Sequence, residues 1–202
     1  MKKSVMHRVV HALRHINNVR SFCARSMKIA FLVLLFSFAP FAWSADKDVA
    51  QPFTVTVVPS RSSSQARSIS IADDKPGEFY VILTNTSKDA QPVFEYWNSW
   101  GYQTVSFEFT MPDGRKVVVS KRPQIFTRNF PSTFLIPSGE HQVYAIRLDK
   151  EWETRPKFAA DAETQISLKA IYEVKVTPEA TEHKVWTGRV ESKTYNLTLR
   201  HW

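Results

Sequence analysis

The side chains that could do chemistry in this chain are few, and their spacing excludes most reactions. Beyond residue 44 there are three histidines, His141, His183 and His201, and no cysteine. No two of these histidines lie within one turn or on alternate strand positions of each other. A soft-metal site would have only Met111 as a sulfur ligand. Asp73-Asp74, before Lys75-Pro76, reads as a solvated turn rather than a calcium ligand pair. We expect no metal and no cofactor. Ser62 to Ser64 sit in a polar loop with no Gly-x-Ser-x-Gly around them. Glu140-His141 reads as the exposed start of a strand after a turn, not an acid–base pair. No carboxylate pair stands in the context of a glycoside hydrolase. The glycines Gly77, Gly101, Gly114, Gly139 and Gly188 are isolated, so no phosphate cradle forms. A hydrolase is the weakest reading, and the expected class is a non-catalytic binding module.

Binding would fall to aromatic and cationic clusters. EYWNSWGY (95–102) places four aromatics in eight residues. KRPQIFTRNFPS (121–132) combines Lys121, Arg122 and Arg128 with Ile125, Phe126 and Phe130, the last three between Pro123 and Pro131. Arg and Phe are residues of protein interfaces, and a long loop in a compact domain is often functional. Strand parity puts Tyr96 and Trp97 on opposite faces, with Trp97 inward. Trp100 and Tyr102 follow the break at Asn98-Ser99 and remain open to recognition. Two readings stand for these residues. One is a protein partner held by Arg122, Phe126, Arg128, Phe130, Trp100 and Tyr102, with protease inhibition as a concrete form. The other is stacking of a carbohydrate or cell-wall glycan on Trp100 and Tyr102. Trp152, in a charged connector, is expected to cover a core edge.

Residues 27–45 constrain where such a module works. A basic start, Met27-Lys28, precedes an apolar run from Ile29 to Trp43, and Ala42-Trp43-Ser44 places small residues before a cut at Ala45. This is the layout of a secretory signal peptide. The run of about 15 residues is shorter than the roughly 20 that span a bilayer. Residues 1–44 are therefore read as a leader, with Met27 the expected true start, and the protein as periplasmic or extracellular with no stable membrane span. The leader holds seven of the 27 Lys and Arg and none of the 19 Asp and Glu. Residues 45–202 thus carry 20 against 19, a net of +1, although the whole chain is +8. That balance leaves no electrostatic footprint for nucleic acid. The single cysteine, Cys23, lies in the leader, so the domain depends on its core rather than on disulfides.

The elements that must position these clusters are strands. Alternating, β-branched stretches lie at 53–60, 68–78, 78–87, 92–97, 104–111, 115–121, 132–137, 140–149, 164–176 and 185–199. Pro112-Asp113-Gly114 is a hairpin turn. Residues 150–163 are the best place for a short helix. The expectation for 45–202 is one all-β domain, an antiparallel immunoglobulin-like β-sandwich of about 8–9 strands.

Some residues carry a family likeness. Lys169-Ala170-Ile171-Tyr172-Glu173-Val174 resembles strand F of immunoglobulin domains, with Val174 in place of the cysteine and Leu168 in place of the usual aspartate. The resemblance implies that Tyr172 is a tyrosine corner whose hydroxyl bonds to nearby backbone, and that Trp97 is the strand C core tryptophan. The order of Asn85-Thr86-Ser87, Asp113-Gly114, Phe126 and the 136–140 turn is similar to bacterial extracellular immunoglobulin-like modules. The nearest layout is that of BsuPI-type proteinase inhibitor domains, over residues 78–149.

Overall fold

The computed structural model describes residues 51–61, 67–157 and 163–201. The leader, the cut at Ala45, the expected start at Met27 and Ser62 to Ser64 lie outside the described residues. Within them the chain order is β1 (Phe53–Val58), β2 (Ser60–Arg61), β3 (Arg67–Ile71), β4 (Glu78–Asn85), β5 (Gln91–Phe94), α1 (Ser99–Tyr102), β6 (Val105–Thr110), β7 (Lys116–Ser120), β8 (Thr133–Ile136), β9 (His141–Arg147), β10 (Glu163–Val174), α2 (Pro178–Glu182), β11 (Gly188–Glu191) and β12 (Tyr195–His201). The protein is mostly β, with several antiparallel sheets. No described helix is long and apolar enough to cross a membrane.

Period-two patterning builds the layers. In β1, Phe53, Val55 and Val57 are buried while Thr54, Thr56 and Val58 are exposed. In β4, Phe79, Val81 and Leu83 are buried, and in β6, Val105, Phe107 and Phe109. One apolar face per strand requires a second sheet to cover it. A three-stranded sheet, β1-β4-β9, supplies one side. A seven-stranded sheet, β2-β3-β12-β10-β6-β7 with β11 also on β10, supplies the other. Their inner faces meet through Phe79 against Phe107 (5.4 Å) and Phe53 against Tyr172 (6.0 Å). Each such buried ring contributes about 1.5–3 kcal/mol of transfer free energy. A two-stranded sheet, β5-β8, carries the loops of interest.

Five sequence expectations are corrected. Twelve described strands replace eight or nine. The 185–199 segment is two strands, because Ser192 interrupts it. Its N–H donates to the Ala170 carbonyl (2.8 Å) and its Oγ accepts the Ala170 N–H (2.9 Å), so β10 stays satisfied across the break. One pair, β3 with β12, is parallel. Hydrophobic alternation is the same in either direction, so it carries no signal for this. Finally, residues 150–157 form no helix. The 151–153 segment is drawn instead onto the edge of β7, where Arg122 N–H donates to the Glu151 carbonyl and Glu153 N–H to that of Ser120 (both 2.8 Å). The helices lie where Asn98 and Thr177 accept backbone N–H groups as N-caps. Tyr172 also departs from a corner bonded to backbone: its hydroxyl donates to that of Tyr144 in β9, and burial pushes both well above the usual phenol range.

Candidate functional site

The turn after β5 decides which aromatics are available. Strand pairing stops at Phe94, where Glu95 N–H donates to the Ser132 carbonyl (3.1 Å). Asn98 then turns the chain. Fully buried, it accepts the Gly101 N–H on Oδ1 (3.0 Å) and donates from Nδ2 to the Ser132 carbonyl (3.0 Å). α1 follows so closely that a Cβ on Gly101 would lie 2.2 Å from the Glu95 carbonyl oxygen. Only glycine permits that approach. Tyr96 and Trp97 therefore ride on a turn rather than on a strand, and strand parity does not apply to them.

This reverses the expectation for Trp97. It is 38% exposed, not a core residue, and its ring meets Phe130 edge-on at 4.9 Å. Trp100 is half-buried against Phe94 (6.2 Å), with its indole N–H on the Glu179 carboxylate. It stands away from the other aromatics. Tyr102 meets Phe126 edge-on at 5.6 Å. Phe130 is 55% exposed, and Arg122 and Arg128 are exposed. The structure thus brings Tyr102, Phe126 and Phe130 to one region and leaves Trp100 out of it.

Tyr96, Trp97, Tyr102, Lys121 and Trp152 wall a cleft of about 500 Å³, closed on one side by residues 142–146 of β9. Lys121 organises its floor. The ammonium lies 5.2 Å from the Tyr102 ring centre and 5.0 Å from that of Trp152, and it pairs with Glu151 at 2.7 Å. A cation between two rings gains about 0.5–2 kcal/mol per ring, more where water is excluded. Burial first, then the Glu151 and Asp149 charges, push the Tyr102 hydroxyl up, so it stays a neutral donor. Trp152 is buried as expected for a core edge, and among the described residues its indole Nε1 has no hydrogen-bond partner. Sequence reasoning grouped Lys121 with Arg122 and Arg128 but did not make it a site residue, and it passed over Trp152 and β9 as cleft walls. The signal that existed was the cationic end of the 121–132 loop.

Chemically this is a holding surface: aromatic walls, one shared cation and a neutral phenol. Among the described residues no three His, Cys, Asp or Glu side chains gather as they would to hold a metal ion. Arg122 borders a second hollow, of about 550 Å³, with Asp73, Arg155 and Lys157. There Arg155 is held by Asp73 (2.6 Å) and by the Ala72 and Leu148 carbonyls. No protein-family model matches the chain, and no curated protein matches it.

Proposed function

We propose that this chain is an exported, non-catalytic binding module on an immunoglobulin-like sandwich, with residues 1–44 removed and 45–202 forming one domain that holds a protein partner. The observation that carries this reading is the convergence of Trp97 and Tyr102 on one cleft, with Phe130 edge-on to Trp97, Phe126 edge-on to Tyr102, and Tyr96 left 62% exposed on the cleft wall. Exposed Trp, Tyr and Phe side chains gathered at one place are the composition of protein interfaces. Inhibition of a protease remains one form of it, with Pro123 and Pro131 limiting the freedom that the loop loses on docking. A pull-down from the native envelope fraction tests the reading: the partner should be lost with Trp97→Ala and with Arg128→Ala/Phe130→Ala. Retention of every partner by both variants removes the proposal.

A second reading, glycan binding, is favoured by the exposed faces of Tyr96 and Trp97, which shift it from Trp100 to Trp97. A glycan array hit abolished by Trp97→Ala would support it, and an array with no hit ends it.

A further inference from the structure

The wall of the cleft formed by β9 is a sheet edge. β9 ends the order β1-β4-β9, and no described strand pairs with its other side. Its outward backbone groups follow from the ladder. Asn85 N–H donates to the Glu140 carbonyl (3.0 Å), while Thr86 N–H turns to that of Pro52, just before β1 (2.8 Å). The N–H and C=O of a strand residue point to one side, and successive residues alternate. The register pairs Leu83 with Gln142, Val81 with Tyr144 and Phe79 with Ile146. The backbones of Gln142, Tyr144 and Ile146 therefore face β4. Those of His141, Val143, Ala145 and Arg147 face away from it.

Two hydrogen bonds agree with this assignment. Gln142 Nε2 donates to the Val143 carbonyl (3.0 Å) on the exposed side, and Asp149 N–H takes the Arg147 carbonyl (2.9 Å). Val143 and Ala145 are left with outward donors about 6.8 Å apart, the repeat that a further strand reads. Edges are usually blunted by proline, inward charge or a cover. β9 has no proline and carries its one charged residue, Arg147, at its end. The β7 edge, by contrast, is covered by the 151–153 segment through the Lys121–Trp152 bridge.

We propose that β9 is a docking edge for an extended segment of a partner protein, which adds as a fourth strand along Val143 and Ala145. This rests on the protein-binding reading of the cleft. Side chains of the added strand that point inward would lie over Tyr144, Tyr102 and Trp152, so alternate apolar residues fit. From Gly114 to Gly139 the chain holds Arg115, Lys116, Lys121, Arg122 and Arg128 and no Asp or Glu. That stretch supplies Lys121 and Gln124 to the cleft. An acidic residue at the end of the segment nearest the loop complements it.

The test uses the full chain and a linear peptide enriched from a phage-displayed library of unconstrained sequences. Ala145→Pro removes an outward N–H that β4 does not use, and proline is tolerated at such edges. It should weaken the peptide about tenfold or more, whereas Ala145→Thr, which keeps the N–H, should bind as wild type. N-methylation of the peptide should abolish binding at alternate residues only, a readout that does not depend on the variant folding. If Tyr102→Ala and Lys121→Met weaken the peptide but Ala145→Pro and every N-methyl group are tolerated, strand addition is wrong and the cleft reading survives. If no peptide is enriched, or none responds to any cleft variant, both fail. A wild-type dimer in sedimentation that Ala145→Pro dissociates makes a second copy the occupant and overturns the proposal.

Discussion

Asn98→Ala should be among the most damaging single changes to a polar side chain in this protein. Asn98 is fully buried, and both ends of its amide are used. Truncation strands the buried Gly101 N–H and takes from the Ser132 carbonyl one of its two donors, leaving it the Glu95 N–H. A buried polar group left without its partner costs about 1–3 kcal/mol, and loss of an N-cap alone about 1. About 1 kcal/mol for the cap and about 1 for the lost bond to Ser132 give about 2 kcal/mol, or a fall in melting temperature of about 4–8 °C for a domain of this size. Circular dichroism melts measure it directly. Asn98→Ser separates the two bonds, because serine caps a helix as well as asparagine but does not reach Ser132. It should recover about a third to half of the loss. Amide exchange at Gly101 should quicken in Asn98→Ala and stay slower in Asn98→Ser. If Asn98→Ala melts within about 2 °C of wild type, or serine is no better than alanine, Asn98 does not clamp the turn.

Three further outcomes follow from the same geometry. Gly101→Ala must push α1 off the Glu95 and Phe94 carbonyls, which a Cβ would meet at 2.2 and 3.0 Å; thermal melts should show a loss of about 2–4 kcal/mol. Tyr144→Phe orphans the Tyr172 hydroxyl and should cost about 1 kcal/mol at neutral pH. Burial holds both phenols neutral in the fold while an unfolded tyrosine ionises near about pH 10. Their contribution is therefore complete below about pH 10 and is lost as pH rises toward the folded values. Wild-type melting temperature should fall above about pH 10, and the fall should be shallower in Tyr144→Phe; equal slopes would place the alkaline sensitivity elsewhere. Lys121→Met keeps the apolar stem over Tyr102 and Trp152 but removes the charge, and should lower the melting temperature by about 2–4 °C, with a smaller loss at high salt.

What the sequence made legible is what local pattern determines. Phe53, Val55 and Val57 in β1 and Phe79, Val81 and Leu83 in β4 alternate because one face is buried, and that pattern can be read without coordinates. Pro112-Asp113-Gly114 turns β6 into β7, with Gly114 at φ +80° and its N–H on the Met111 carbonyl. What stayed hidden is set by partners distant in sequence. β5 stops at Phe94 because Asn98 holds the next turn to the Ser132 carbonyl, 34 positions away along the chain. The 150–157 segment is no helix because its backbone finds Ser120 and Arg122. Neither contact leaves a local periodicity.

The same distinction explains the site. Phe126, Phe130 and Tyr102 could be singled out by composition alone, since a proline-bounded aromatic loop is unusual whatever it packs on. Trp97 could not, because its face depends on where β5 ends, and that end is fixed by Asn98 and Ser132 rather than by the residues around Trp97. The consequence is a separation of roles within eight residues. Asn98 and Gly101 are fully buried, and each is pinned by backbone. Tyr96 and Trp97 are exposed beside them. Changes at the first pair should therefore act on stability and on binding together. Changes at Trp97 or Phe130 remove rings that lie outside the core cluster, and should act on binding with melting temperature held to within about 2 °C. A variant of Trp97 that unfolds the domain would mean that the ring belongs to the core after all, and the cleft would lose its outer wall as a recognition surface.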